Sequence, residues 1–285
     1  MFLNEYKIIT PSILKDGYMA IKDFDGKDIT KYTINKLGEI TTEGTRVALL
    51  YLSGGYPLDD NETYLTDESK LNFDRKCIPD TLVYKKSIIK NLGKWVNNIK
   101  GNIVYTSLVS NTCATGVYAI EQAKFLLEAN KVDEVVIVGE TKIHYNVMRL
   151  FKEHRIPLVL GEGAVVFRLS NKQKGYYIED IKTHYAFHTN PFYVSAKEYA
   201  KVLSPADIVK PHSTFTEVNT RAEDFLDKYD TVITYKQDIG HTLGISSLLE
   251  TGMLLEDNHL VNKKAIVIAS GMGGFYGSFT IQDYT

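Results

Sequence analysis

Apolar residues in this chain gather into short unbroken runs separated by polar turns, with two longer stretches of helical period between them. TRVALLYLS (residues 45–53) and GAVVFRLS (163–170) read as buried strands, and a short strand is predicted from Ile103. DEVVIVGE (133–140) is a continuous β-branched run, the pattern of a parallel strand covered on both faces. Between them, CATGVYAIEQAKFLLEANK has helical period. Glu121, Lys124 and Glu128 recur at three and four residues on one face, while Val117, Ile120, Ala123, Leu126 and Leu127 fill the rest, so the helix is largely buried. Beyond SNKQKG the alternation repeats: a strand in GYYIEDIKTHY, a strand-like DTVITY, a helix from about Leu243 through GISSLLETGMLLE, then AIVIAS, a GMGG turn and FYGSFTIQ. Strand, helix and strand recurring on both sides predict an α/β protein with partly parallel sheets. SNKQKG is the expected seam between an N-terminal half, 1–170, and a C-terminal half, 171–285, of one compact unit. The most polar stretch, 59–76, reads as a surface insertion or a lid.

Composition narrows the classes. With 44% hydrophobic and 24% charged residues the chain is an ordinary globular protein rather than a disordered one. Its net charge of −2 supplies no overall field for nucleic acid or an anionic membrane. No apolar run approaches a membrane span, and the first is too short for a secretory leader. A cytoplasmic protein is expected, in which Cys77 and Cys113 stay reduced. No metal-ligand spacing, phosphate-cradling glycine loop or dinucleotide fingerprint is found, so no metal or other cofactor is expected. YKKSIIKNLGKWVNNIK places Lys85, Lys86, Lys90, Lys94 and Lys100 on an expected helix. That face fits solvent or an acidic partner equally.

The candidate chemistry centres on Cys113, between a strand and the start of a buried helix. A helix N-terminus offers unpaired N–H groups and partial positive charge, which stabilise a thiolate, lower its pKa and can hold an oxyanion. Alone, the residue fits an inert buried thiol as well. Two histidines add to it: His212 in the hydroxyl-rich loop KPHSTFTEVN, and His241 in KQDIGHTLG just before a helix. Imidazoles of this kind serve thioester chemistry as proton acceptors or as donors to developing negative charge.

SNTCATGVYAIEQAKFLLEANKVDEVVIVGET resembles the nucleophile segment of the β-ketoacyl-acyl-carrier-protein synthases. MRLFKEHRIPLVLGEGAVVFRL, PHSTFTEVNTRAE, YKQDIGHTLGISSLLE and SGMGGFYGS resemble four further motifs of that family in the same order. The resemblance implies a thiolase-like α/β fold: two similar halves whose central mixed sheets pack in layers with helices. It also implies a condensing enzyme. Cys113 would take an acyl group from acyl carrier protein, and His212 and His241 would assist decarboxylation of a malonyl-type thioester. Lys236 and Glu223 would organise the polar site, with Thr214 and Thr216 in matching motif places. Backbone N–H groups of Cys113 and Met272 would form the oxyanion hole, and Gly273 and Gly274 the turn lining the pocket. A homodimer, or a heterodimer with a related synthase, is implied as well. Histidine at both positions, with no second cysteine near Ser270, Gly271 and Met272, favours the elongating class over thiolases and initiating enzymes.

Departures from the family point to a specialised polyketide or lipid pathway. Ser213 and Phe215 stand where glycines are usual, Met272 where a gating phenylalanine is common, and the segment before PHSTFT is too short for the usual helix. An acyltransferase or thioester hydrolase on the same scaffold, and a non-catalytic chain-length partner, are the alternative readings.

Overall fold

In the computed structural model of the protein, side-chain alternation along the strands assigns the apolar residues to the two faces of one large sheet. The structure describes residues 1–53, 81–143, 147–148, 151–152 and 156–284. The polar stretch 59–76, Cys77 and the side chains of Lys85 and Lys86 lie outside the described residues. In spatial order the sheet joins β12 (Thr231–Val232), β11 (Ile208–Lys210), β13 (Lys264–Gly271), β14 (Phe275–Asp283), β10 (Tyr176–Tyr185), β1 (Phe2–Ile9), β9 (Gly163–Ser170), β8 (Glu134–Thr141), β5 (Val47–Leu52) and β7 (Ile103–Val109). Two short pairs flank it, β2 (Ile13–Lys15) with β3 (Tyr18–Ala20) and β4 (Ile40–Thr41) with β6 (Ile99–Lys100).

The two wings of this sheet repeat one order. From the centre outward one wing runs β1, β9, β8, β5, β7 and the other β10, β14, β13, β11, β12. In each, the first two junctions are antiparallel and the last two parallel. The wings meet where β1 and β10 pair antiparallel.

Seven helices are described: α1 (Ile29–Leu37), α2 (Thr81–Asn98), α3 (Thr115–Glu128), α4 (Ala196–Tyr199), α5 (Glu217–Ala222), α6 (Lys236–Ile239) and α7 (Ser246–Glu256). Helix α3 touches β5 and β8 of one wing, β10, β13 and β14 of the other, and α7. The α3–α7 pair is therefore a layer shared by both wings. Period two fills the layers on either side of each strand. Ala48, Leu50 and Leu52 of β5 face the α3–α7 layer, while Val47, Leu49 and Tyr51 face Trp95 of α2. Likewise Ala265, Val267 and Ala269 of β13 face inward, and Ile266 and Ile268 face Tyr199 and Phe225. This double coverage is why the strands read as unbroken apolar runs.

Several expectations need correction. Lys100 belongs to β6, not to the lysine-bearing helix, which ends at Asn98, and it pairs with Glu39. DTVITY gives only the two-residue β12. Both helices expected to begin at the candidate site start as 3₁₀ turns, Thr112–Ala114 and Leu243–Ile245. In line with the expectation from its length, the segment before PHSTFT has the four-residue α4 as its described helix. Among the described residues no helix is long and apolar enough to cross a membrane.

Candidate active site

The three candidate catalytic side chains come from separate segments and meet at the ends of the shared helical layer. Cys113 lies in the 3₁₀ turn between β7 and α3, His212 in the loop after β11, and His241 between α6 and the 3₁₀ turn leading to α7. His241 Nε2 stands 3.1 Å from Cys113 Sγ. The His212 and His241 rings lie edge to face, with centroids 5.2 Å apart. All three residues are buried.

Close backbone approach brings these turns together. A Cβ on Gly271, at the end of β13, would meet Thr112 Oγ1 at 2.2 Å and Asn111 O at 2.7 Å. One on Gly116 would meet Ser247 Oγ of α7 at 2.3 Å. Glycine at these two places lets the end of β13 press on the Cys113 turn and α3 touch α7. His241 is fixed from both sides. Its N–H donates to Val159 O at 2.7 Å and its carbonyl accepts from Gly161 N at 3.0 Å. At the ring, Ser246 Oγ lies 3.0 Å from Nδ1 and also accepts the Thr242 N–H. A hydroxyl can donate or accept, so Ser246 supports either neutral tautomer of His241.

Strained backbone surrounds the cluster. Thr112, Ser213 and Leu243 take left-handed conformations with φ of 50°, 37° and 53°, and Phe215 does so at 59°. Each non-glycine residue held there costs about 1–3 kcal/mol and persists only where its neighbours enforce it. For the His212 loop those neighbours are visible. The Glu223 carboxylate accepts the Ser213 N–H at 2.8 Å and its hydroxyl at 2.9 Å. Asn219 Oδ1 accepts the Thr214 N–H at 2.8 Å and hydroxyl at 2.9 Å, while Thr216 caps α5 through Asn219 N. The loop keeps the bends that glycines usually supply by clamping side chains instead. Glu223, Thr214 and Thr216 are thus seen shaping the loop that carries His212. Lys236 bonds Glu250 Oε1 at 2.7 Å.

Burial dominates the electrostatics. It pushes the Cys113 thiol up to about 12, against the charge of Lys236 and the backbone N–H groups of Met272 and Cys113 that favour thiolate. The lowering expected of a helix N-terminus is therefore overridden: desolvating the charged form outweighs the dipole at a closed site. Burial, then Lys236 and other nearby cations, hold His212 and His241 well below the ordinary histidine range. The resting cluster is a neutral thiol beside two neutral imidazoles.

Sequence reasoning missed two buried charges and Ser246. Lys210 bonds Glu250 Oε2 at 2.6 Å, opposite Lys236 on the same carboxylate. The signal was present: a lysine ending an apolar strand, and a glutamate inside the apolar run SSLLETGMLLE. Both sit where a charge is costly without a partner.

No family model matches this sequence, and no curated protein does. Solved structures do match it in fold. The ishigamide ketosynthase/chain length factor superposes with a TM-score of 0.64 at 14% identity, covering 99% of this chain and 93% of that one. A type II PKS acyl-carrier protein in complex with its ketosynthase bound to the hexaketide gives 0.68 at 12%, covering 99% and 98%. The 3-oxoacyl-(acyl carrier protein) synthase III of Pseudomonas aeruginosa gives 0.62 at 13%, covering 99% and 97%. The chain thus has the thiolase-like α/β fold of the ketosynthases, a scaffold of condensing enzymes.

Proposed function

We propose that the protein is a β-ketoacyl synthase-like condensing enzyme of a specialised polyketide or lipid pathway. The observation that carries this is the contact of His241 Nε2 with Cys113 Sγ beside His212, in a ketosynthase fold. With a neutral thiol at rest, His241 Nε2 accepts the S–H proton as sulfur attacks the carbonyl of an acyl-carrier thioester. The tetrahedral oxyanion forms against the N–H groups of Cys113 and Met272. Its collapse expels the carrier thiolate, which takes the proton back from His241. In the second half-reaction a malonyl-type thioester loses carbon dioxide. The electron pair of the breaking C–C bond becomes an enolate, met by N–H groups of His212 and His241. The enolate carbon attacks the acyl-cysteine and expels the Cys113 thiolate, the β-ketoacyl product leaves on its carrier, and the thiolate takes up a proton from solvent. Ser246 supports this by serving one His241 tautomer in the first half and the other in the second.

The test is intact-protein mass spectrometry with acyl-carrier thioesters, comparing wild type with Cys113→Ala and then adding malonyl-carrier. Acylation confined to wild type and discharged into a β-ketoacyl product is expected. Acylation without that product points to plain acyl transfer or hydrolysis, and no acylation by any carrier points to a chain-length partner. Condensation of ordinary fatty-acyl and malonyl carriers at a housekeeping rate would refute the specialised pathway. The same assay on Lys86→Glu/Lys90→Glu examines carrier docking on α2, where Lys90 is exposed while Lys94 pairs with Asp28. Unchanged carrier-dependent turnover would place docking elsewhere.

A further inference from the structure

We infer that the Tyr199 hydroxyl is a positioning group for His212: bonded to Asn219 on one side and to Ser270 on the other, it ties the loop carrying that imidazole to the end of β13. That this serves decarboxylation rests on the condensing-enzyme reading; the tie itself does not.

The two imidazoles are held by different means. His241 is fixed through its own neighbours, Val159 and Gly161 on its backbone and Ser246 on its ring. Among the described residues His212 has no hydrogen-bond partner on its ring, which meets His241 edge to face. Its place is therefore set by its loop. Within that loop Glu223 holds Ser213, and Asn219 holds Thr214. Among the described residues, one side-chain hydrogen bond leaves residues 212–223 for the rest of the protein, from Asn219 Nδ2 to the Tyr199 hydroxyl at 3.1 Å.

Donors and acceptors along this bridge run in one consistent direction. Asn219 Oδ1 accepts the Thr214 N–H at 2.8 Å, and a backbone N–H can only donate. The amide nitrogen is thereby turned to Tyr199, whose oxygen accepts, and the phenol proton is left for Ser270 Oγ at 2.7 Å. Burial, then the charge of Glu223, hold Tyr199 well above the ordinary tyrosine range, so the proton stays on the hydroxyl. The ring is 0% exposed and packs against Phe225 and Tyr276, its centroid 5.3 Å from each. Ser270 is fixed in β13 opposite Tyr276 of β14, one residue before the Gly271 that abuts the Cys113 turn.

Ring packing alone would hold α4 on the sheet. The hydroxyl adds a directional bond to the loop, and a buried hydroxyl is kept only where its hydrogen bonds are made. Decarboxylation needs the His212 N–H aimed at the forming enolate, and misplacing such a group by about 1 Å costs on the order of a hundredfold in rate. Acylation of Cys113 runs through His241 and the N–H groups of Cys113 and Met272, to which the bridge makes no bond. Loss of the hydroxyl therefore falls on one half-reaction.

The experiment follows two rates by intact-protein mass spectrometry: Cys113 acylation by an acyl-carrier thioester, and discharge of the acylated protein by malonyl-carrier. In Tyr199→Phe, acylation should stay within about twofold of wild type while discharge slows roughly tenfold or more. Equal slowing of both, as a loss of folded protein gives, overturns the inference, and so does slowing of acylation alone or of neither. Should Tyr199→Phe fail to fold, Ser270→Ala removes the far anchor and should give the same split, judged by the same outcomes. Substrate-free protein supplies a second readout in the histidine ring C–H signals by NMR, assigned with His212→Gln and His241→Gln. In Tyr199→Phe the His212 signals should shift and broaden, and unmoved signals overturn the inference. Moved His212 signals in a protein whose wild type makes no β-ketoacyl product would retain the role of Tyr199 and remove the condensing reading.

Discussion

Ser213 shows how a side-chain clamp can hold a non-glycine residue in a left-handed bend. Its backbone holds φ at 37°, a region natural to glycine, and the Glu223 carboxylate receives both its N–H and its hydroxyl. Those two bonds hold the residue beside His212 in a conformation it would otherwise leave. Glu223→Ala strands two buried donors and releases the strain into the loop, which should destabilise the protein by about 2–4 kcal/mol. Adding Ser213→Gly should recover about 1 kcal/mol or more, because glycine takes the left-handed region freely and brings no hydroxyl to satisfy. In the wild-type background the same substitution should be nearly neutral, as relief of strain offsets the lost hydrogen bond. Urea denaturation of the four proteins measures this, and equal losses in Glu223→Ala with and without Ser213→Gly would dismiss the strain argument.

At the scale of elements, one buried carboxylate ties helix α1 to the sheet. Glu140 of β8 accepts Thr30 Oγ1 of α1 at 2.8 Å and the Tyr51 hydroxyl of β5 at 3.2 Å on Oε2. Trp95 of α2 and Thr33 of α1 face the carboxylate without reaching hydrogen-bond geometry, leaving Oε1 unpaired. Burial, opposed by these donors, pushes the carboxyl up to about 7. The sign of the consequence follows from linkage. Across the window from about 4.5 to about 7 the unfolded chain releases this proton while the folded protein keeps it. The contribution of Glu140 to stability is thus full below the unfolded value and is lost as pH rises through the folded one. Glu140→Gln removes that dependence. Between pH 5 and pH 8 wild type should lose on the order of 3 kcal/mol relative to the variant, read from denaturation midpoints at the two pH values. Parallel curves would show that Glu140 does not titrate differently in the folded protein.

For the whole molecule, the sequence revealed what repeats and concealed what joins. Strands β5, β8, β9 and β13 were legible because both faces are covered, which favours nearly continuous apolar runs. Strand β1 was not. It lies at the junction of the wings, yet Asn4, Glu5 and Lys7 give it the look of a surface segment. Cys113, His212 and His241 were singled out through motif order, and the fold brings the three side chains together. Lys210 and Glu250 each stood out as a charge in an apolar run, but their pairing spans 40 residues and is made by tertiary contact, which no local pattern carries.

The outermost strand, next to Cys113, leads to a last expectation. Strand β7 ends one wing and exposes Val104 at 50%, Tyr105 at 38% and Leu108 at 42%. An apolar edge strand left in water is a template for association, and proteins normally cover, charge or shorten such edges. We propose that a second copy, or a related synthase chain, pairs with β7 across a two-fold axis, extending the sheet and burying these side chains. Since β7 leads directly into the turn holding Cys113, that contact would also steady this turn against the end of β13. Sedimentation should show a dimer for wild type, and a monomer with reduced Cys113 acylation for Val104→Lys/Leu108→Lys. A wild-type monomer that is acylated at full rate would mean that the edge needs no partner and that the Cys113 turn is held by its own chain alone.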